Sequence, residues 1–278
     1  MPAPNTPSKT SQVITRELHA WIAAERAQGH GHDTILQAML YAGWEHQVAA
    51  EALTSTPPPP LPVPWPELAS SHMRLDGGDR LVELTTVMRE PDIIVFENLL
   101  SAGECEALIE AARPRLHRSL TVSVETGGEE VHKDRTSEGM FFTRGENALT
   151  QRIEARIARL LEWPIENGEG LQVLRYRPGT EYKPHYDYFD PAEPGTPAIL
   201  ERGGQRVATL IMYLQEPESG GATVFPDVRL QVVPKRGHAV FFNYSQPHRC
   251  SQSLHGGMPV LAGEKWIATK WLRESVFT

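Results

Sequence analysis

The segment that most restricts the fold is a proline-rich run at residues 56–66, TPPPPLPVPWP. Proline fixes φ and lacks a backbone N–H, so this run is excluded from helix interiors and central strands and favours polyproline II. Ten such residues extend about 31 Å at ~3.1 Å each. We therefore expect a semi-rigid proline linker between two folded parts, with few contacts crossing it. The alternative is that Leu61, Val63 and Trp65 lie on the surface of the second part, with Trp65 large enough to anchor the linker. The run also fits a ligand for an SH3-like module or a substrate of the protein's own chemistry.

On the N-terminal side of the linker, the sequence predicts a small helical bundle. Residues 1–10 are rich in proline, serine and threonine and are expected to form a disordered tail. Residues 11–55 contain three short stretches with apolar residues at helical spacing, separated by glycines. The third follows Ala42-Gly43-Trp44, and this part resembles ubiquitin-associated-type three-helix modules. We expect the bundle either to pack or dimerise, or to bind a protein partner.

The rest of the chain, residues 67–278, is predicted to be one domain whose character changes at Gly170. Before that glycine, a capping box at Ser101–Glu104 begins one helix, and an apolar stripe predicts another over 147–162. After it, short apolar or alternating runs are separated by Gly and Pro, as in a jelly roll. The expected fold class is mainly β with flanking helices: a double-stranded β-helix (jelly-roll) core, preceded by a small three-helix module. The predicted strands include 92–97, 171–176, 207–214, 223–225, 230–233, 239–243 and 266–272.

Composition argues against several classes of function. The 278 residues carry a formal net charge of −8 and show no basic stripe, so nucleic acid is not an expected partner. No apolar run approaches ~18 residues and the first residues lack the apolar core of a secretory signal, so no membrane is expected either. Two cysteines, Cys105 and Cys250, cannot build a disulfide framework and fit a reducing compartment. The expected location is the cytoplasm.

One tripeptide, His185-Tyr186-Asp187, is the first motif in the sequence that indicates a metal site. Residues i and i+2 of a strand point to the same face, so an imidazole and a carboxylate converge within reach of a metal ion. A second histidine from a distant strand would complete the two-His-one-carboxylate face that is typical of non-haem Fe(II) oxygenases. The candidates are His238, His248 and His255. We assign His255, because Lys265 lies ten residues further on and a buried lysine there suits the distal carboxylate of a dicarboxylate cosubstrate.

Several longer stretches make the chain recognisable. Over about residues 90–273 it resembles the prolyl 4-hydroxylase family of Fe(II)/2-oxoglutarate-dependent dioxygenases, in its short, free-standing form. The motifs that carry the resemblance are RTSEGMF at 135–141, GEGLQVLRYRPGTEYKPHYDYFD at 168–190, GQRVAT at 204–209 with MYL at 212–214, GGATVFP at 220–226, and SLHGGMPVLAGEKWIATKW at 253–271.

The resemblance implies roles for individual residues. Three of them are implied as iron ligands: His185, Asp187 and His255. Lys265 is implied to pair with the C5 carboxylate of 2-oxoglutarate, and Tyr176 to hydrogen-bond the same carboxylate. Thr223 is implied to line the cosubstrate pocket. These six side chains together form the expected catalytic, metal-binding and cofactor-binding site.

On the substrate side, the resemblance implies that Arg206 and Trp271 lie near a peptide-binding groove. It also implies that residues 125–138, with a glycine pair and many charges, form a mobile loop that closes over the peptide. The implied reaction hydroxylates a peptidyl proline at C4 and releases succinate and CO2. Its implied cofactors and cosubstrates are Fe(II), 2-oxoglutarate, O2 and L-ascorbate, and its implied partner is a proline-containing peptide or protein.

Two features narrow the chemistry that the resemblance implies. Asp187 supplies a carboxylate where Ala or Gly would leave room for a halide ligand, which disfavours halogenation. The cosubstrate anchor is Lys265, whereas nucleic-acid demethylases of the same superfamily typically use arginine. Two alternatives stay open. The same cofactors could serve hydroxylation of another residue or of a free amino acid, or a non-catalytic jelly roll could only bind partners.

Overall fold

The computed structural model describes residues 12–68, 73–118 and 136–278, together with the backbone of two short strands between the last two ranges. Six α-helices are found in the described residues: α1 (Arg16–Ala27), α2 (His32–Tyr41), α3 (His46–Thr54), α4 (Ala102–Ala112), α5 (Ala148–Leu161) and α6 (Thr196–Leu200). The strands of the described residues are β1 (Arg74–Asp76), β2 (Leu81–Met88), β3 (Ile93–Glu97), β4 (His117–Arg118), β5 (Thr121–Val122), β6 (Glu129–Glu130), β7 (Glu138–Phe142), β8 (Leu171–Tyr176), β9 (Tyr182–His185), β10 (Arg206–Gln215), β11 (Ser219–Gly220), β12 (Thr223–Phe225), β13 (Leu230–Val232), β14 (Ala239–Asn243), β15 (His255–Gly257), β16 (Val260–Ala262) and β17 (Lys265–Arg273).

Two antiparallel sheets form the jelly roll. The major sheet has the order β1-β2-β3-β14-β10-β17-β8-β7-β4, and the minor sheet has the order β13-β12-β15-β9. Strand β10 shows why the sheets stack, because its side chains alternate between two separate cores. Leu210 and Met212 face the helices, whereas Ile211 and Tyr213 face the minor sheet. The predicted fold class, a mainly β jelly roll with flanking helices, is therefore confirmed.

Helices α4 and α5 cover the outer face of the major sheet. The predicted capping box is confirmed: Ser101 Oγ accepts from the backbone N–H of Glu104, and the Glu104 carboxylate accepts from the N–H of Ser101. Helix α5 begins after Asn147, which caps its first turn. Ile153 and Ile157 of α5 pack against the sheet. This layer removes one face of the major sheet from water, and the opposite face lines the space between the two sheets.

The N-terminal helices have a core of their own. Helices α1 to α3 pack around Leu18, Ile22, Ile35, Met39, Trp44, Ala49 and Leu53. The structure therefore contains the small three-helix module that the sequence predicts. We call α1 to α3 the N-terminal module.

The proline linker lies on the jelly roll, contrary to the expectation of a free spacer. Three hydrogen bonds tie it down: Leu61 N to Ser245 O at 2.7 Å, Asn243 Nδ2 to Pro64 O at 3.2 Å, and Gln246 Nε2 to Pro58 O at 2.7 Å. Trp65 packs against Phe241 with ring centroids 6.2 Å apart, and the Arg89 guanidinium lies 3.9 Å from the centre of the indole ring. A polyproline strand keeps its carbonyls free to accept hydrogen bonds, and these carbonyls and one tryptophan dock it.

Two further observations concern the cysteines and the helices of the described residues. Cys105 and Cys250 are both buried and free, as the absence of a disulfide framework predicts. No helix in the described ranges combines the length and apolarity needed to cross a membrane.

Candidate active site

Two histidines meet at the start and end of neighbouring strands in the minor sheet. His185 is the last residue of β9 and His255 the first of β15, and the two are paired directly across the ladder. Their ring centroids lie 4.4 Å apart. The glycine after His255 permits this close pairing, because a Cβ on Gly256 would lie 2.9 Å from the backbone nitrogen of Pro184. The strand register itself therefore brings the two imidazoles together.

Asp187 completes the cluster from just beyond β9. Its Oδ1 lies 3.5 Å from His185 Nε2, and its Oδ2 lies 3.4 Å from His255 Nε2. Ligand atoms of the three side chains all lie within 4.8 Å of one another. The structure therefore brings together the three residues that the sequence predicts as metal ligands.

The histidines are oriented by backbone carbonyls. His185 Nδ1 lies 2.8 Å from Lys183 O, and His255 Nδ1 lies 3.0 Å from Ser253 O. A carbonyl only accepts, so each Nδ1 carries a proton, and Nε2 is the ring atom that faces the cluster. Burial lowers the pKa of His255 to about 4, which keeps this imidazole neutral near pH 7. Neutral imidazoles with free Nε2 lone pairs are the form that binds a metal ion.

The carboxylate of Asp187 is held by a short relay. Thr209 Oγ1 donates to Asp187 Oδ2 at 2.7 Å. Thr209 has a single hydroxyl proton, so Tyr244, whose OH lies 2.9 Å from Thr209 Oγ1, donates to it in turn. Burial alone raises the pKa of Asp187, but the charged and polar groups around it, among them the Arg206 guanidinium, outweigh burial and hold that pKa below its ordinary value. Asp187 is therefore ionised.

This donor set fits a divalent transition metal. Two imidazoles and one ionised carboxylate face one point, and a facial triad of this kind leaves positions open for other ligands. Fe(II) is the ion that the two-His-one-carboxylate set favours.

A pocket of about 420 Å³, including its open mouth, extends from the triad between the sheets. Leu174, Ile211 and Ile267 form its apolar walls. The Lys265 side chain, only 2% exposed, lies in the same pocket. Desolvation lowers the pKa of Lys265 to about 8, and no carboxylate within the described ranges lies at ion-pair distance from its Nζ. A buried cation without an anion is a receptor for a ligand carboxylate.

Tyrosine and threonine hydroxyls surround this cation. Tyr176 is the direct cross-strand partner of Lys265, whose Nζ lies 5.4 Å from the Tyr176 ring centre. On the opposite side, the ring centre of Tyr213 lies 5.8 Å from the same Nζ. Tyr213 OH donates to Thr223 Oγ1 at 2.8 Å, and Thr223 lines the pocket. The predicted cosubstrate residues are therefore gathered in one pocket with the triad.

The two predicted substrate residues lie at different depths. Trp271 lines the pocket and is also 6.4 Å, centroid to centroid, from the half-exposed ring of Phe141. Arg206 lies behind Trp271, with its guanidinium carbon 4.0 Å from the centre of the Trp271 ring. Glu169 accepts two hydrogen bonds from Arg206, at 2.6 and 2.9 Å, and one from Arg273 at 2.7 Å. Arg206 therefore supports the wall of the pocket, whereas Trp271 forms it.

Comparisons with known proteins agree with this geometry. The family model described as "2OG-Fe(II) oxygenase superfamily" matches residues 171–273. The chain is 41% identical over 223 residues to prolyl 4-hydroxylase 5 of Arabidopsis thaliana, which covers 72% of this chain and 74% of that protein. It is 44% identical over 214 residues to prolyl 4-hydroxylase 1 of the same plant, covering 69% of this chain and 72% of that protein. The chain belongs to the prolyl 4-hydroxylase family.

A solved structure supports the same assignment. The viral collagen prolyl hydroxylase vCPH from Paramecium Bursaria Chlorella virus-1, in its 2-oxoglutarate complex, aligns with a TM-score of 0.51 and 33% identity, covering 65% of this chain and 95% of that chain. As a member of the prolyl 4-hydroxylase family, the protein is an Fe(II)- and 2-oxoglutarate-dependent dioxygenase that uses O2.

The remaining candidates of the sequence lie elsewhere. His238 lies at the edge of the major sheet, 3.7 Å from Glu97, and His248 packs against His19 of α1. Neither belongs to the metal cluster, as expected. Of the predicted mobile loop at 125–138, residues 125–128 and 131–135 lie outside the described residues.

Sequence reasoning missed the residues that hold the site in place. Thr209 and Tyr244, which orient Asp187, occur in ordinary apolar strand patterns. Glu169 precedes β8 and is unremarkable as a single acidic residue, yet it is buried between two arginines. Tyr182, by contrast, is visible in the sequence among the aromatic residues around the ligand motif, and it stacks on His185 at 3.7 Å between ring centroids.

Proposed function

We propose that this prolyl 4-hydroxylase family member hydroxylates a peptidyl proline at C4. Peptidyl proline, 2-oxoglutarate and O2 would be converted to peptidyl hydroxyproline, succinate and CO2, with L-ascorbate as supporting reductant. The observation that carries the proposal is the pocket that joins the His185, Asp187 and His255 cluster to the buried cation of Lys265. The names of the Arabidopsis relatives support proline as the substrate.

Each side chain of the pocket has a distinct role in this proposal. His185, Asp187 and His255 would hold Fe(II), which when bound supplies the activation of O2 and the oxidation of the substrate C–H bond. Lys265 would bind the C5 carboxylate of 2-oxoglutarate, with Tyr176 and Thr223 as hydroxyl partners beside it. The apolar walls would exclude water, which strengthens the Lys265 to carboxylate attraction.

At the mouth, aromatic rings suit a proline ring. Trp271 and Phe141 lie beside one another, Trp271 in the pocket wall and Phe141 half exposed. The buried indole N–H of Trp271 has no hydrogen-bond partner among the described residues. It is therefore available to a carbonyl of a bound peptide. Arg206, fixed by Glu169, would act as a positioning residue for Trp271.

Mass spectrometry tests the substrate and the ligand set together. The protein would be incubated with Fe(II), ascorbate, 2-oxoglutarate and ¹⁸O2, with either a proline-containing peptide or free proline. We expect one ¹⁸O atom on a peptidyl proline, with fragmentation and chromatography against 3- and 4-hydroxyproline standards assigning C4. If free proline is labelled and the peptide is not, free proline is the substrate and the proposal of peptidyl proline is wrong. Label on another residue of the peptide would also contradict the proposal.

The metal ligands are tested with a matched pair of histidine variants. His255→Ala should lower 2-oxoglutarate turnover more than about 100-fold, because loss of a metal ligand costs more than loss of a residue that only orients one. His238→Gln, at the far edge of the sheet, should keep wild-type turnover. Turnover retained in His255→Ala would remove this histidine from the ligand set.

A further inference from the structure

The N-terminal module and the proline linker both contact one stretch of the jelly roll. This stretch is the β14–β15 segment, residues 244–254, together with Asn243 at the end of β14. The contacts of the module with it are Arg16 Nη2 to Ser245 Oγ at 3.2 Å, the His19 and His248 rings at 5.0 Å between centroids, and an ion pair of Glu51 with Arg249. The linker binds Ser245 and Gln246 of the same segment, as described above.

The β14–β15 segment also holds the metal cluster from behind. Tyr244 orients Thr209, which in turn orients Asp187. Ser251 Oγ lies 2.9 Å from Ser253 Oγ, and the Ser253 carbonyl fixes His255. Two of the three ligands thus depend on side chains or carbonyls of this one segment.

A third connection reaches the dipeptide between the other ligands. Arg249 lies beside Tyr186, the residue between His185 and Asp187. Arg249 also pairs with Glu51 of α3. Glu51 and Arg249 therefore connect the N-terminal module to the β14–β15 segment next to the ligand strand.

We propose that the N-terminal module braces the metal site, with Glu51 and Arg249 as positioning residues for the β14–β15 segment, which orients Asp187 and His255. Arginine presents a planar fork of donors, and the Glu51 carboxylate fixes the position of that fork and of the segment that carries it. The Glu51 to Arg249 pair is partly exposed, so its effect lies in the placement of that segment and is modest in size. The proposal rests on the proposed function only in placing a divalent metal at the triad.

Metal retention, measured without turnover, tests the brace. The full-length protein would be loaded with Co(II) under anaerobic conditions, and loss of the Co(II) absorption bands to a chelator would be timed. We expect Glu51→Gln and Arg249→Gln each to lose Co(II) about 3- to 10-fold faster than wild type, below the range for direct partners of ligands. The double variant should be no faster than Arg249→Gln alone, because both changes break one connection.

A matched control and a rescue separate bracing from general damage. Glu45→Gln removes the same charge from an exposed residue at the start of α3 and should retain Co(II) like wild type. Glu51→Asp should restore part of the retention, and melting temperatures should stay unchanged throughout. Wild-type retention in both Glu51→Gln and Arg249→Gln would overturn the brace while leaving the proposed function intact. A wild-type protein that takes up no Co(II) would overturn both.

Discussion

The metal cluster and the docking contact of the N-terminal module are both built from polar groups, yet they are built differently. In the cluster, His185 and Asp187 are neighbours in sequence and His255 is their cross-strand partner, with each histidine oriented by a carbonyl. In the docking contact, the partners are far apart in sequence: Glu51 and Arg249 are separated by 198 positions. Three buried atoms there, Arg16 Nε, His19 Nε2 and Trp65 Nε1, lack partners within the described ranges. The polar groups of the metal cluster are therefore held by partners more completely than those of the docking contact, as a reactive site requires.

The largest expected effect tests whether the pocket alone binds the cosubstrate. Lys265→Met removes the cation that would pair with the 2-oxoglutarate carboxylate, at a cost of about 3–5 kcal/mol for a buried pair, so the apparent KM should rise at least about 100-fold. Because the free protein no longer desolvates an ammonium group, its melting temperature should rise. Steady-state kinetics and calorimetry measure both.

Lys270, five residues along the same strand, is the matched control. It points to the opposite face and is paired with Glu154, whose side chain is 2% exposed. Lys270→Met leaves that carboxylate buried without its cation, so the free energy of unfolding should fall by about 3–5 kcal/mol while the KM for 2-oxoglutarate stays unchanged. Equal KM values in the two variants would show that the cosubstrate anchor is not Lys265.

The second expected effect is a pH dependence confined to the pocket. The pKa of free Lys265 is about 8, and a bound carboxylate raises it. Affinity for 2-oxoglutarate should therefore be constant below about pH 8 and fall about tenfold per unit above it, because the free lysine must then take up a proton. Calorimetric titration at several pH values would show this slope. A flat profile to pH 10 would contradict the assignment, and iron retention should not follow the same curve.

The smallest expected effect concerns the docking of the proline linker. Trp65→Ala removes the ring that contacts Phe241 and Arg89, so the free energy of unfolding should fall by about 2 kcal/mol, less than for a fully buried aromatic residue. Tyr41→Ala, at a residue that is 97% exposed, should change it by no more than about 0.5 kcal/mol. Denaturant unfolding compares the two. A Trp65→Ala protein as stable as Tyr41→Ala would mean that the linker is free in solution.

The residues that the structure gathers in the pocket could be identified from the sequence, because each lies in a short motif or in a recognisable strand pattern. His185 and Asp187 are two residues apart, and strand alternation places them on one face. Lys265 begins a strand whose odd-numbered residues face the pocket, so an apolar alternating run containing a lysine already marks a buried cation. The helix over 148–161 was predicted to within one residue at each end, because its cap and apolar stripe are both strong.

The docking of the N-terminal module could not be predicted, because its signals are neither local nor part of a motif. A polyproline run has the same composition whether it is free or docked. Trp65 is large enough to anchor the run on the jelly roll, but nothing in residues 56–66 selects docking over a free spacer or identifies the surface. Glu51 and Arg249 each look like ordinary exposed charges, and only the fold brings them together. The sequence patterns do not predict strand β2, because its burial does not alternate regularly, and three of its last five residues are polar or exposed.

The position of the β14–β15 segment also sets the order in which the protein matures. Ribosomes release the N-terminus first, at about 5–20 residues per second. Arg249 follows Glu51 by 198 residues, so the N-terminal module waits about 10–40 s for the surface on which it docks. His255 emerges later still, and contacts of such high sequence separation form slowly. During synthesis the N-terminal module therefore precedes its docking surface, and metal loading is a step that waits until His255 has been made.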